Sequence, residues 1–120
     1  MSDFDTLATR YIAVWNETDA TVRRAAIEEL WAPDGRYVDP AVAAHGHDDI
    51  DATIGAVQAQ FPGMRFRLRG PVDGHHEQAR FGWQLGPTGA EDLVEGFDVV
   101  ERDADGRLVH VLGFLDKVPS

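Results

Sequence analysis

The sequence has 120 residues and no cysteine, which excludes disulfides, thiolate metal sites and cysteine nucleophiles. Serine occurs only as Ser2 and Ser120, and no Gly-x-Ser-x-Gly elbow exists. No apolar run is long enough to span a bilayer. The first residues, MSDFDTLATR, lack the basic flank and apolar core of an export signal. A cytoplasmic protein without a membrane partner is therefore expected. Basic residues are also scarce, 11 against 21 acidic ones, for a formal net charge of -10. Such a surface repels phosphate backbones and argues against a nucleic-acid partner. GPTG lacks the lysine and the following helix of a phosphate loop. No repeat, linker or low-complexity segment breaks the chain, so one domain over residues 1–120 is expected.

What is present is an ordinary core composition, 43% hydrophobic, with a clear change of period. Phe4, Leu7, Ala8, Tyr11, Ile12 and Trp15 recur at helical spacing, with Ser2 or Asp3 as cap. A second helix, ATVRRAAIEELW, follows a Thr18 or Asp19 cap and stops at APDG. A short strand near residues 36–39 and a small-residue loop, PAVAAHG, lead to a third helix, HDDIDATIGAVQAQF, with His47 as its cap. After Pro62 and Gly63 the period becomes two. MRFRLR and QARFGWQLG alternate apolar and polar residues, and LVEGFDVVER and RLVHVLGFLDK flank a DADG hairpin signal. GPVDGHHE and GPTGAED read as connecting turns. Helices followed by a run of strands indicate an α+β fold: a curved antiparallel sheet packed on three N-terminal helices, leaving a cone whose mouth can hold a ligand.

Three polar residues stand in unusual places. Asp39 ends a strand and is held extended by Pro40. Asp98 alternates in register with Val94, Gly96 and Val100, although aspartate is depleted in strands. Tyr11 sits on the apolar stripe of its helix, so its hydroxyl needs an internal partner. The histidines and the acids Asp48, Asp49 and Asp51 read as solvated turn and helix-start residues, and no metal or cofactor is expected.

The stretches RYIAVWNETD, APDGRYVDP, LRGPVDGHH and FDVVERDADGRLVHV, in this order of elements, resemble the nuclear transport factor 2-like, or SnoaL-like, superfamily, and within it the ketosteroid isomerases. The resemblance covers essentially the whole chain and implies a cone-shaped α+β barrel. It implies catalytic roles for Tyr11 and a protonated Asp98, which hold an oxyanion, and for Asp39, which moves the proton. Trp31 and Ile54 stand where those isomerases often carry further tyrosines. Together with Trp15, Phe61 and Trp83 they are the expected ligand-binding residues. The function implied is acid–base isomerisation or cyclisation next to a carbonyl of an apolar small molecule, by a homodimer formed through the sheet. The arginine face of RFRLR, on a chain of net charge -10, also suits pairing with a second copy. Two alternatives stand beside it. One is a non-catalytic ligand-binding or dimerisation module of the same fold. The other is epoxide hydrolysis by an aspartate–arginine–aspartate set, for which Arg80 and Asp98 are the available pair.

Overall fold

The computed structural model describes residues 3–87 and 93–119. Ser2, considered above as a helix cap, and residues 88–92 of the GPTGAED turn lie outside the described residues. Helix α1 (Asp3–Asn16) buries Leu7, Ala8, Tyr11, Ile12, Val14 and Trp15. Helix α2 (Ala20–Leu30) is capped by Asp19, whose Oδ1 accepts the backbone N–H groups of Thr21 and Val22 at 2.9 and 3.0 Å. The helix ends at Leu30, one residue short of the expected end, because Trp31 is already extended (φ -105, ψ 141). Trp31 thus opens strand β1 (Trp31–Val38), which is longer than the expected strand, and Asp39 lies just past its end.

Strand β2 (Ala43–His45) falls in the segment expected to be loop. Its three residues are too few to show a period, and it exists because it pairs antiparallel with β1. In helix α3 (Gly46–Gln60) the cap position belongs to His45, which makes no side-chain cap bond. His47 instead places Nε2 2.9 Å from the Trp31 carbonyl oxygen and ties the helix to the start of β1. The three helices are joined by a polar cluster. Arg23 Nε donates to Asp51 Oδ1 and Arg23 Nη1 to Gln58 Oε1, both at 2.8 Å, while Gln58 Nε2 donates to the Trp15 and Glu17 carbonyls. The pair Arg23–Asp51 is largely shielded from solvent, which makes it worth more than an exposed pair.

The remaining strands are β3 (Met64–His75), β4 (Gln78–Pro87), β5 (Val94–Arg102) and β6 (Leu108–Lys117). The stretch GPVDGHHE is a correction. The strand continues through it after a slip of register between Arg69 and Asp73, at Gly70 with φ +75, and the tight turn lies at His76 and Glu77. The sheet order is β2-β1-β6-β5-β4-β3, curved against the helices as expected for the cone-shaped class. It differs from the expectation in two respects: β1 runs parallel to β6, and the sheet is open rather than closed into a barrel. Local alternation carries no information on the direction in which a strand docks against one some seventy residues away. Along β5, Val94, Gly96, Asp98 and Val100 point into the core, and the residues between them point outward.

Candidate functional site

The inward faces of β1, β4, β5 and β6 and the apolar stripe of α1 enclose a cavity of about 280 Å³. Its walls are mostly apolar and carry six aromatic side chains, Tyr11, Trp15, Tyr37, Phe61, Phe66 and Trp83. Trp15 packs against Tyr37 and Phe66, with ring centroids 5.3 and 5.4 Å apart, and Phe66 meets Trp83 edge-on at 5.4 Å. Phe61 and Val57 close one side, and Leu115 and Val118 lie at the mouth. Of the ligand-binding residues expected from sequence, Trp15, Phe61 and Trp83 line this space. Trp31 and Ile54 do not: both are wholly buried, and Trp31 stands behind Tyr11 in the core. This corrects the expectation for those two, because burial of an apolar residue looks alike in sequence whether it faces a core or a pocket.

Asp98 is the buried charge of the site, 3% exposed. Its register partner on β4 is Phe81 and on β6 is Gly113. Trp83 Nε1 donates to its Oδ1 at 3.1 Å. Gly96 makes this contact possible, since the Trp83 indole lies across that position, and a β-carbon there would meet the ring at 2.7 Å and run into the Phe114 carbonyl oxygen. Burial pushes the Asp98 carboxyl up to about 6, and the Asp39 carboxylate adds to the rise, while Trp83 and Tyr11 act in the opposite direction.

Tyr11 is 2% exposed, with its ring edge-on to Phe81 at 5.5 Å. Its hydroxyl lies beside the Asp98 carboxyl but outside hydrogen-bonding geometry and has no partner among the described residues. Burial raises its pKa well above that of a free phenol, and the Asp98 charge raises it further. It is a neutral donor, close enough to the Asp98 carboxyl to favour its charged form.

Asp39 lines the same cavity but is half-exposed and heavily engaged. Its Oδ1 accepts the backbone N–H groups of Ala41 at 2.8 Å and Val42 at 3.0 Å, and its Oδ2 accepts the Tyr37 hydroxyl at 2.7 Å. The Asp-Pro turn is therefore both a turn and a pocket wall. Tyr37 is a residue the sequence reading passed over. Burial, then the Asp98 and Asp39 charges, raise its pKa. The available signal was its spacing: residues two apart in a strand share a face, so Tyr37 and Asp39 had to point the same way. Arg80, by contrast, is exposed and faces Asp73 at 3.6 Å on the far side of the sheet, so the aspartate–arginine–aspartate set is not assembled.

Residues 8–111 match the SnoaL-like domain family. A crystal structure of a candidate SnoaL-like isomerase from Agrobacterium tumefaciens str. C58 is 42% identical, with a TM-score of 0.92 over 97% of this chain and 99% of that one. A candidate SnoaL-like polyketide cyclase from Jannaschia sp. CCS1 superposes with a TM-score of 0.71 at 17% identity, covering 97% of this chain and 90% of that one. An NTF2-like protein from Exiguobacterium sp. 255-15 does so with 0.73 at 18%, covering 92% and 98%. No curated protein matches the chain. The family match over most of the length, the 42% relative and the observed cone of helices and curved sheet agree: the chain belongs to the SnoaL-like domain family.

Proposed function

We propose that the protein is an acid–base isomerase or cyclase that moves a proton next to a carbonyl of an apolar small molecule. The observation that carries this reading is the placement of a buried Asp98 carboxyl beside the unpartnered Tyr11 hydroxyl in an aromatic cavity. The carbon that loses a proton and the oxygen that gains charge are neighbours in the substrate. Base and hydrogen-bond donor must then be neighbours in the site, as these two are. Asp98, near 6, accepts the proton at neutral pH. The C–H electron pair moves into the carbonyl to give an enolate, Tyr11 donates to its oxygen, and, where the substrate carries a C=C bond conjugated with that enolate, the protonated Asp98 returns the proton at the far carbon of that bond as the double bond shifts. The candidate isomerase from Agrobacterium supports the reaction class by similarity.

A second assignment follows the ketosteroid isomerase pattern: Asp39 is the base, and a neutral Asp98 shares the oxyanion with Tyr11. It is favoured by the presence of Asp39 in the same cavity wall and by the upward shift of Asp98. The three donors on Asp39 favour the first assignment, since they already occupy both carboxylate oxygens that would have to reach the substrate carbon.

Deuterium exchange next to the carbonyl of a panel of apolar ketones, followed by NMR, tests both. Under the first assignment the rate at low substrate rises as pH climbs through about 6, and under the second it falls. Ketones that bind without accelerated exchange would make this a binding module.

A further inference from the structure

The cavity holds negative charge and nothing positive to match it. Two carboxyl groups border it, Asp98 on β5 and Asp39 just past the end of β1, and among the described residues no lysine, arginine or histidine does. The donors to these acids are the Trp83 indole, the Tyr37 hydroxyl and two backbone N–H groups, all of them neutral. They fill lone pairs without offsetting charge. A buried anion with no counter-charge is costly, and a bound cation would supply one. The ring wall runs unbroken between the two acids. Tyr37, whose hydroxyl is on Asp39, meets Trp15 with centroids 5.3 Å apart, and Trp15 meets Phe66 at 5.4 Å. Phe66 in turn meets Trp83, whose N–H is on Asp98, at 5.4 Å. An arc of four rings thus begins at one carboxyl and ends at the other. Aromatic faces attract cations. Tyr11 borders the same space, 2% exposed, its hydroxyl without a hydrogen-bond partner among the described residues.

We infer that the cavity takes a cationic ligand, a small apolar skeleton bearing a protonated amine, held by the Asp39 and Asp98 carboxylates and the arc of rings between them. The inference rests on the reading of the cavity as a small-molecule site, and it narrows the substrate class from apolar ketones to amino ketones. It divides the polar groups: Tyr11, a donor without a partner, is matched to the carbonyl oxygen and Asp39 to the ammonium. The Asp98 charge draws the cation in before it takes the proton. Carboxylates and phosphate esters are excluded, since each would bring a further anion into a space that already holds two. A cavity of about 150 Å³ admits benzene, so one of about 280 Å³ suits a bicyclic skeleton.

Three bicyclic probes of similar shape separate the possibilities: indane is neutral, indane-2-carboxylate is an anion, and 2-aminoindane is protonated at pH 8, as a lysine side chain is. Binding is followed by the NMR shifts of the indole N–H signals of Trp15 and Trp83, which line the cavity. At pH 8, 2-aminoindane is expected to bind about tenfold or more tightly than indane, as for a desolvated cation on aromatic faces and a charged acceptor. The carboxylate should bind more weakly than indane. The titratable groups at the cavity are Tyr11 on α1, Tyr37 and Asp39 at β1, and Asp98 on β5, and both tyrosines stay neutral. The amine's lead should therefore shrink from pH 8 to pH 5 as Asp98 takes up its proton. Asp98→Asn should remove that pH dependence, and Asp39→Asn should reduce the lead at both pH values. A lead unmoved by either variant, or equal binding of indane and 2-aminoindane at pH 8, would overturn the cation site. If neutral ketones still undergo accelerated exchange, the proposed reaction stands without it. Binding of none of the three probes would overturn the cation site together with the small-molecule reading beneath it.

Discussion

Replacing Asp98 by asparagine should make the protein more stable, by an amount that depends on pH. The carboxyl is 3% exposed and is held near 6 against an ordinary 3.8. The sign follows from the raised value: the folded state binds this proton more tightly than the unfolded state. The contribution to stability is thus complete below about 4 and is lost as pH rises to about 6 and above. A shift of this size corresponds to about 3 kcal/mol in total. Between pH 5 and pH 8, a range above the pI of about 4.7, roughly 1 kcal/mol of it should be lost. Asparagine keeps the shape and the acceptor for Trp83 Nε1 but has no charge to desolvate. The stability advantage of Asp98→Asn over the unaltered protein should therefore be about 1 kcal/mol larger at pH 8 than at pH 5. Urea titration at both values measures it. With slopes of about 1–3 kcal/mol per molar, the difference appears as roughly 0.3–1 M in midpoint. The variant should at the same time lose proton transfer. An advantage that is equal at both pH values, or absent at pH 8, would refute the claim that burial of a charge dominates at this position.

Tyr11→Phe removes a buried hydroxyl that has no hydrogen-bond partner among the described residues. It should leave stability unchanged or raise it by about 1 kcal/mol, while lowering carbonyl-adjacent exchange about a hundredfold or more; loss of stability with unchanged exchange would remove Tyr11 from the site. Trp83→Phe takes away the indole donor that lowers the Asp98 pKa, so the inflection in the pH–rate profile should move to higher pH, and an unmoved inflection would mean that another group titrates. Gly96→Ala presses a methyl onto the Trp83 ring and the Phe114 carbonyl oxygen, and should cost at least about 1–3 kcal/mol in urea unfolding; a neutral result would mean that β5 and β6 can part there. On the outer face of the sheet Phe97 stacks on the half-exposed Phe114 with ring centroids 4.9 Å apart, and the arginine side of β3 lies on the same face. A homodimer through this face is expected. Light scattering at micromolar concentration should give the mass of two chains and Phe114→Glu that of one, and a single-chain mass for the unaltered protein would refute the dimer.

The sequence is most legible where a residue repeats a simple period. Met64, Phe66 and Leu68 against Arg65, Arg67 and Arg69 announce a strand with two unlike faces, and the stripe of α1 announces a helix. Asp98 betrays itself in the same way, as a polar residue at an inward position of an apolar series. Periodicity fails where the chain departs from it. Gly70 and Pro71 look like a turn, yet β3 slips register there and runs on, because β4 supplies partners on the other side of the slip. Residues 43–45 form a strand only because β1 lies beside them. Trp31 and Ile54 could not be separated from Trp15 and Phe61, since the hydrophobic effect buries both sets alike and only the curvature of the sheet decides which of them border the cavity. Tyr37 was legible through its spacing to Asp39, but its proximity to Asp98 depends on a pairing across the whole chain.

That pairing has a consequence for the order in which the molecule comes into being. The edge of β1 that meets β6 finds its partner only from Leu108 onward, far along the chain. A ribosome adding roughly 5–20 residues per second leaves this edge, with Tyr37 and Asp39 behind it, unmatched for several seconds. During that interval β3, β4 and β5 can zip as successive hairpins, because each finds its neighbour close by in sequence. The last strand then closes the sheet and brings Gly113 into place between Asp98 and Tyr37 in one step. A nascent chain stalled before β6 would carry every wall residue named above except Leu115 and Val118 at the mouth, yet its cavity would lie open along the missing strand: the pocket is complete only once β6 has been made.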